Sequence, residues 1–213
     1  QVSLFKLRRC YADCMKLIAI IPAGGKGLRV GITDKKGFAT PKQYLKVNEK
    51  EIIVYTLQTF QKNKLIDRII IAAEPEYFNL LIKLVKKYRL NKVKLIVEGG
   101  KTRQDSVYNA VLSSGADDND LLIVHDAARA FLTDEVLTNA ITSAKKKGNA
   151  LVCINAKDTL IRGNKVVEEY VNRDEVYYVQ TPQIFHQKDL LTAMNKAYKN
   201  KFLGTDESML VSR

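Results

Sequence analysis

Short apolar runs alternate with longer amphipathic segments through the first two thirds of the chain. Each run is short and mostly apolar, which is typical of parallel strands that helices cover on both faces. The predicted strands span residues 17–21, 68–73, 93–97, 121–125 and 150–154. Apolar residues recur at helical spacing between them, so we predict helices over residues 53–61, 76–88, 102–113 and 135–146. This alternation predicts an α/β fold with a doubly wound, mostly parallel sheet.

The pattern changes at about residue 158. Residues 158–176 alternate loosely around a turn at Arg162-Gly163-Asn164 and predict a β-hairpin arm. A return strand over 177–180, a helix over 188–199 and a further element from Thr205 follow. Residues 1–14 show no periodic pattern and are interpreted as an N-terminal extension outside the fold, so the predicted domain spans 15–213.

Composition narrows the class of protein. No apolar run approaches the length of about 20 residues that a membrane helix needs. The three cysteines, Cys10, Cys14 and Cys153, form neither a disulfide framework nor a zinc set, which favours a reducing cytoplasm. A net charge of +12 fits nucleic acid, an anionic membrane or phosphorylated small molecules. Because the lysines are spread over the whole chain, without interleaved aromatic residues, we expect neither nucleic acid nor membrane as a partner.

Ligands of open α/β sheets bind beyond the carboxyl ends of the strands. The first predicted strand leads into a glycine-rich loop that contains Gly24, Gly25 and Gly27. This loop lacks the Gly-Lys-Ser/Thr ending of a P-loop, and no helix follows it directly as in dinucleotide-binding folds. Glycines let a backbone approach anionic oxygens closely, and Arg29 and Lys42 add two cations suited to a triphosphate.

Polar residues also follow the other predicted strands. Gly100 precedes a helix that Thr102 can cap, which exposes backbone groups and a helix N-terminus useful to a nucleotide. Asp126 could hold Mg²⁺ or a ribose hydroxyl, although a lone aspartate there is often only a turn former. His125 is expected to be a packed strand residue rather than a catalyst. Three further motifs follow later strands: Lys157-Asp158-Thr159, Asn172-Arg173-Asp174 and Thr181-Pro182-Gln183-Ile184-Phe185.

Together these motifs resemble the 2-C-methylerythritol 4-phosphate cytidylyltransferase family of isoprenoid synthesis and, less closely, the related ribitol 5-phosphate cytidylyltransferases. The resemblance runs from Lys16 to the end of the chain. It is carried by PAGGKGLR at 22–29, PKQYL at 41–45, RQDSV at 103–107, HDAAR at 125–129, TPQIF at 181–185 and TDE at 205–207.

The resemblance implies a Rossmann-like nucleotidyltransferase that uses Mg²⁺ and acts on CTP and a polyol phosphate. It makes Arg29 and Lys42 the catalytic cations and Asp126 a residue near the metal. It assigns the substrate pocket to Thr159, Arg173 and Thr205, with Arg173 on an arm that reaches into the partner subunit of a homodimer. The nucleotide-binding set that it implies, including the loop glycines, is Ala23, Gly24, Gly25, Gly27, Gly100, Ser106, Asp126 and Ala127.

Two positions depart from the family pattern. Ala130 stands where the family usually has proline after HDAAR. A family aspartate and lysine expected beyond Thr205 are absent before Arg213, so the C-terminal segment is expected to be missing. That lysine helps to hold the triphosphate in the family.

The chemistry needs little from the protein. A phosphate monoester, with about −1.5 to −2 charges at pH 7, can attack the α-phosphorus of CTP without a general base, so catalysis is positioning plus charge neutralisation. We therefore predict transfer of CMP to 2-C-methyl-D-erythritol 4-phosphate with release of pyrophosphate. A ribitol 5-phosphate enzyme and a catalytically impaired nucleotide-binding module remain the alternatives.

Overall fold

The computed structural model describes residues 15–25 and 40–213. The predicted extension, residues 1–14, lies outside this range, as do Gly27 and Arg29. The strands are β1 (Leu17–Pro22), β2 (Lys46–Val47), β3 (Lys50–Glu51), β4 (Arg68–Ala73), β5 (Val93–Glu98), β6 (Leu121–Val124), β7 (Asn149–Asn155), β8 (Leu160–Gly163), β9 (Val167–Val171) and β10 (Tyr177–His186). The helices are α1 (Ile52–Lys62), α2 (Phe78–Lys87), α3 (Arg103–Ser113), α4 (Asp134–Lys147), α5 (Gln187–Lys199) and α6 (Glu207–Val211).

Six strands form the central sheet in the order β5-β4-β1-β6-β10-β7. The pairs of β1 with β4, β1 with β6 and β4 with β5 are parallel. Strand β10 runs antiparallel to both of its neighbours, so β7 points the same way as β6. The predicted doubly wound, mostly parallel sheet is confirmed.

The two faces of the sheet carry two hydrophobic cores. Alternate residues of a strand point to opposite faces, so Leu17, Ala19 and Ile21 pack with α1, α2 and α4, while Ile18 and Ile20 pack with α3, α5 and α6. Buried side chains of β1, β4 and β6 form the middle of both cores. None of the helices within the described ranges combines the length and hydropathy needed to cross a membrane.

The expectation of strands covered on both faces is wrong for the two edges of the sheet. Strands β5 and β7 are largely half-buried or exposed along their length. The continuous apolar run does not separate these strands from central ones, because its residues are apolar whether or not a helix covers them. The TPQIF motif also lies inside β10 rather than after a strand, because the return strand extends beyond the predicted 177–180 to His186.

The predicted hairpin arm is formed by β8 and β9, which pair antiparallel as a separate two-stranded sheet. Its turn lies later than predicted. Gly163 still belongs to β8 and is paired with Val167, so the chain reverses over residues 164–166.

Candidate active site

The loop after β1 is held in place by contacts from the next segment of the chain. The Ala23 amide donates to the Ala72 carbonyl at 2.6 Å. Gln43 Nε2 donates to the carbonyls of Ala23, at 2.6 Å, and Gly25, at 3.0 Å. Gln43 belongs to a 3₁₀ turn, Lys42–Tyr44, in which the Lys42 side chain is exposed. The buried Gln43 amide therefore fixes an exposed cation beside the glycine loop.

A serine connects the glycine loop to the end of β5. Ser106 Oγ donates to the Thr102 carbonyl at 2.9 Å and accepts from the Gly100 amide at 3.0 Å. A Cβ added at Gly24 would lie 3.2 Å from Ser106 Oγ, so the two loops approach each other closely. Thr102 caps the N-terminus of α3, so the positive end of this helix lies at the same edge of the sheet.

Two arginines hold Asp126, which lies just beyond β6. Arg103 Nε donates to Asp126 Oδ1 at 3.1 Å, and Arg129 Nε donates to Asp126 Oδ2 at 2.9 Å. Burial alone would raise the pKa of Asp126, but the charges and hydrogen bonds of Arg103 and Arg129 outweigh it and lower this pKa. The carboxylate is therefore ionised and fixed in orientation.

Arg103 also reaches α6. Its Nη1 donates to both carboxylate oxygens of Glu207, at 2.7 and 2.9 Å. The Glu207 side chain is only 1% exposed. Burial would lower the pKa of Arg103, but Glu207 and Asp126 raise it and keep the guanidinium charged. Thr205, two residues before Glu207, is exposed.

His125 is 1% exposed, which confirms its expected packed role. Its Nε2 lies 3.1 Å from the Arg129 carbonyl, which can only accept, so Nε2 carries the proton. Its Nδ1 then accepts from the Thr181 hydroxyl at 3.0 Å. Burial lowers the pKa of His125 to about 4. Beside it, the buried Ala127 is fixed by a hydrogen bond of 2.9 Å from Thr56 Oγ1 to its carbonyl.

Thr159 and Arg173 lie at the base of the arm. Arg173 Nη1 donates to the Lys157 carbonyl at 3.0 Å, and both Thr159 and Arg173 are exposed. The described contacts join neither residue to Asp126 in the same subunit.

Asp126 offers an ionised and partly exposed carboxylate to a metal ion in this part of the molecule. The described residues contain no group of three or more His, Cys, Asp or Glu side chains that could hold a metal. Mg²⁺ commonly uses one or two carboxylates, several waters and substrate phosphates. Asp126 beside a triphosphate therefore fits Mg²⁺ that is bound largely by the nucleotide.

Several residues of the site received no role from the sequence: Gln43, Arg103, Arg129, Thr181 and Glu207. Each lies inside a motif, but its partners lie 18 to 104 residues away or across a loop. The sequence shows that these polar residues belong to the motifs. Which residues they pair with depends on the fold.

Comparisons with known proteins show which family the chain resembles over most of its length. Residues 17–213 match the family model for 2-C-methyl-D-erythritol 4-phosphate cytidylyltransferase. The enzyme of that name from Lysinibacillus sphaericus is 38% identical over 200 residues, which cover 93% of this chain and 83% of the relative. That from Bacillus cereus is 40% identical over 195 residues, covering 91% and 83%.

Solved structures give the same result. The 4-diphosphocytidyl-2C-methyl-D-erythritol synthase of Anaerococcus prevotii superimposes with a TM-score of 0.78 at 27% identity, over 94% of this chain and 82% of that one. The 2-C-methyl-D-erythritol 4-phosphate cytidylyltransferase of Francisella tularensis gives 0.75 at 28% identity, over 92% and 85%. The chain thus belongs to the 2-C-methyl-D-erythritol 4-phosphate cytidylyltransferase family of nucleotidyltransferases.

Proposed function

We propose that this protein transfers CMP from CTP to 2-C-methyl-D-erythritol 4-phosphate and releases pyrophosphate. The observation that carries the proposal is the convergence of the family's motifs at one edge of the sheet. There Gly24, Gly100, Ser106 and Asp126 follow the carboxyl ends of the parallel strands β1, β5 and β6. Family membership supports this activity over a nucleotide-binding module without turnover.

The cytosine lies, in this proposal, between the glycine loop and Ser106. The Ser106 hydroxyl already donates to Thr102 and accepts from Gly100, so what it can still offer is one acceptor position. The amino group of cytosine is a donor, whereas uracil carries a carbonyl oxygen at that position. We assign the backbone donors of the loop to the Gly24 and Gly25 amides.

The ribose and the metal belong near Asp126 and Ala127. Mg²⁺, when bound to the triphosphate, supplies positive charge to the phosphate oxygens. Asp126 is the protein ligand that we assign to it, with Ala127 beside the ribose. The fixed orientation of the Asp126 carboxylate supports this assignment.

The chain's cations neutralise the charge that develops during the transfer. The phosphate of the acceptor attacks the α-phosphorus, the bond from that phosphorus to the bridging oxygen of the β-phosphate breaks, and pyrophosphate leaves. Lys42 is exposed, and its neighbour Gln43 binds the glycine loop, which supports this role. Arg29 shares the role by resemblance. No side chain needs to remove a proton, because the acceptor phosphate is already ionised.

The acceptor pocket is proposed to form between two subunits. Thr159 and Arg173 lie exposed at the base of the arm, and none of the described contacts joins them to Asp126. The arm exposes Ile161, Val167 and Tyr170, the last by 73%. An isolated two-stranded hairpin is marginal in water, and an exposed apolar patch marks an interaction site. A homodimer would bury this surface and bring the partner's arm to the Thr205 side of the site.

Cysteine usage supports a cytoplasmic location for the enzyme.

The test is pyrophosphate release. The chain is incubated with CTP, Mg²⁺ and 2-C-methyl-D-erythritol 4-phosphate, and the phosphorus NMR spectrum of the product is recorded. We expect release only with both substrates and a product that contains a new diphosphate linkage, with CTP preferred over ATP, GTP and UTP. Release no faster than without acceptor would overturn the proposal, and CTP binding without turnover would favour the nucleotide-binding module.

A further inference from the structure

Arg103 connects three elements of the fold at the edge of the active site. It is the first residue of α3, and its guanidinium contacts Asp126 beyond β6 and Glu207 at the start of α6. In the contact with Glu207 a single nitrogen, Nη1, donates to both carboxylate oxygens, so the contact is a charge-assisted hydrogen bond shared between them. One side chain therefore fixes the relative position of α3, α6 and the Asp126 loop.

The Glu207 carboxylate is buried, which makes its position informative. A buried charge is costly unless it is paired, and replacing a buried ion pair with apolar side chains is often neutral or stabilising. Glu207 is 1% exposed, whereas Arg103 and Asp126 are each 32% exposed. The buried end of the network thus anchors Arg103, and the half-exposed end presents Asp126 to a ligand.

Arg129 holds the other Asp126 oxygen but cannot replace this anchor. It lies three residues from Asp126 on the same loop and also donates to Gln180. A contact within one loop orients the carboxylate relative to that loop. Only Arg103 ties the carboxylate to α3 and α6.

We propose that Arg103, held by Glu207, is a positioning residue that sets the direction in which Asp126 meets the Mg²⁺-bound triphosphate. This inference rests on the proposed function and assigns roles to two residues beyond it. It also links the two halves of the site, since Glu207 lies two residues from Thr205 on the acceptor side. Partners of this kind typically change metal affinity or activity by about 10–100-fold when they are replaced.

The test compares Glu207→Gln, Arg103→Gln and the double variant. Glutamine keeps the size of Glu207 but removes the charge that anchors Arg103. We expect each single variant to lower kcat about tenfold or more and to need more Mg²⁺ for half-maximal rate. Because Glu207 acts through Arg103, the double variant should be no slower than Arg103→Gln alone.

A binding measurement separates positioning from loss of activity by other causes. Calorimetry of CTP with and without Mg²⁺ should show that the metal strengthens nucleotide binding in the wild type and strengthens it less in both single variants. The matched control is Asp120→Asn, which removes a buried carboxylate that accepts from the Lys16 and Asp117 amides. Asp120 directly precedes β6, so it lies at the amino-terminal end of this strand, whereas Asp126 lies beyond its carboxyl end. This variant should melt earlier but keep the Mg²⁺ dependence of the wild type.

The outcomes are distinguishable from those of the proposed function. If the wild type releases no pyrophosphate, the proposed function fails. If the wild type is active and the folded variants keep kcat and the Mg²⁺ enhancement of CTP binding within twofold, the positioning role is refuted. Multiplicative effects of the two substitutions in the double variant would also refute it, because independent residues give additive free energies.

Discussion

Neutral His125 makes the stability of the fold depend on pH. The pKa of His125 is about 4 in the folded protein, against 6.5 in the unfolded chain. The unfolded state therefore binds more protons between these values, so the free energy of unfolding falls as the pH drops below 6.5 and levels off below 4. At about 1.4 kcal/mol per pKa unit, the full loss is about 3 kcal/mol. Between pH 7 and pH 5 the loss is about 2 kcal/mol.

The perturbation is His125→Asn, which keeps a polar side chain near Thr181 but does not titrate. Denaturant unfolding at pH 7, 6 and 5 should show that the wild type loses about 2 kcal/mol more than the variant over this range. Comparing the two proteins cancels the titration of every group that they share. The matched control is His186→Asn, since His186 is the second of two histidines in the chain. It should retain the wild-type slope.

Proton NMR gives the same answer without relying on the stability of a variant. The wild type contains two histidines, so two imidazole signals are followed and the His186→Asn variant assigns them. The His125 signal should stay at the neutral position down to pH 5. Parallel stability curves for wild type and His125→Asn, or a His125 signal that titrates near pH 6.5, would refute the argument from burial.

Three further predictions concern the site. Lys42→Ala should lower kcat about 100- to 1,000-fold with a smaller effect on CTP binding, because charge accumulates in the transition state. Steady-state kinetics check this, with the exposed Lys46→Ala as the control. Turnover within tenfold of wild type would remove Lys42 from the catalytic set. Gly100→Ala should lower the free energy of unfolding in denaturant by about 1–3 kcal/mol, because its Cβ would overlap Asp105 at the start of α3. The Cβ of Gly25→Ala meets no described atom within 4 Å, so this variant should unfold like the wild type. Mixed dimers of Arg173→Ala and Arg29→Ala chains should regain part of the activity that each homodimer loses, and inactive verified heterodimers would show that Arg173 serves its own subunit.

The central strands could be predicted from the sequence because burial on both faces demands a continuous apolar run. Strand β4 has the predicted bounds, and Thr102 caps α3 as its position before the helix indicates. The edge strands β5 and β7 gave the same signal although helices leave them partly uncovered. Sequence pattern records which residues are apolar, whereas the position of a strand in the sheet depends on the packing of the whole chain.

The residues of the site likewise divide into those that the sequence could indicate and those that only the fold brings together. Gly24, Gly100 and Asp126 could be proposed as site residues because they follow strands whose carboxyl ends lie side by side. The pair formed by Arg103 and Glu207 could not be identified, since 104 residues separate its members and neither lies directly after a strand. A contact of this kind depends on how α6 packs beside α3, and no local periodicity encodes that packing.

The central claim is that the chain cytidylylates methylerythritol phosphate rather than another polyol phosphate. The most direct measurement is kcat/KM for 2-C-methyl-D-erythritol 4-phosphate and for ribitol 5-phosphate, by pyrophosphate release with saturating CTP and Mg²⁺. We predict that methylerythritol phosphate is preferred by about tenfold or more, which corresponds to about 1.4 kcal/mol of differential transition-state binding. Equal values for the two acceptors, or a preference for ribitol 5-phosphate, would contradict the account.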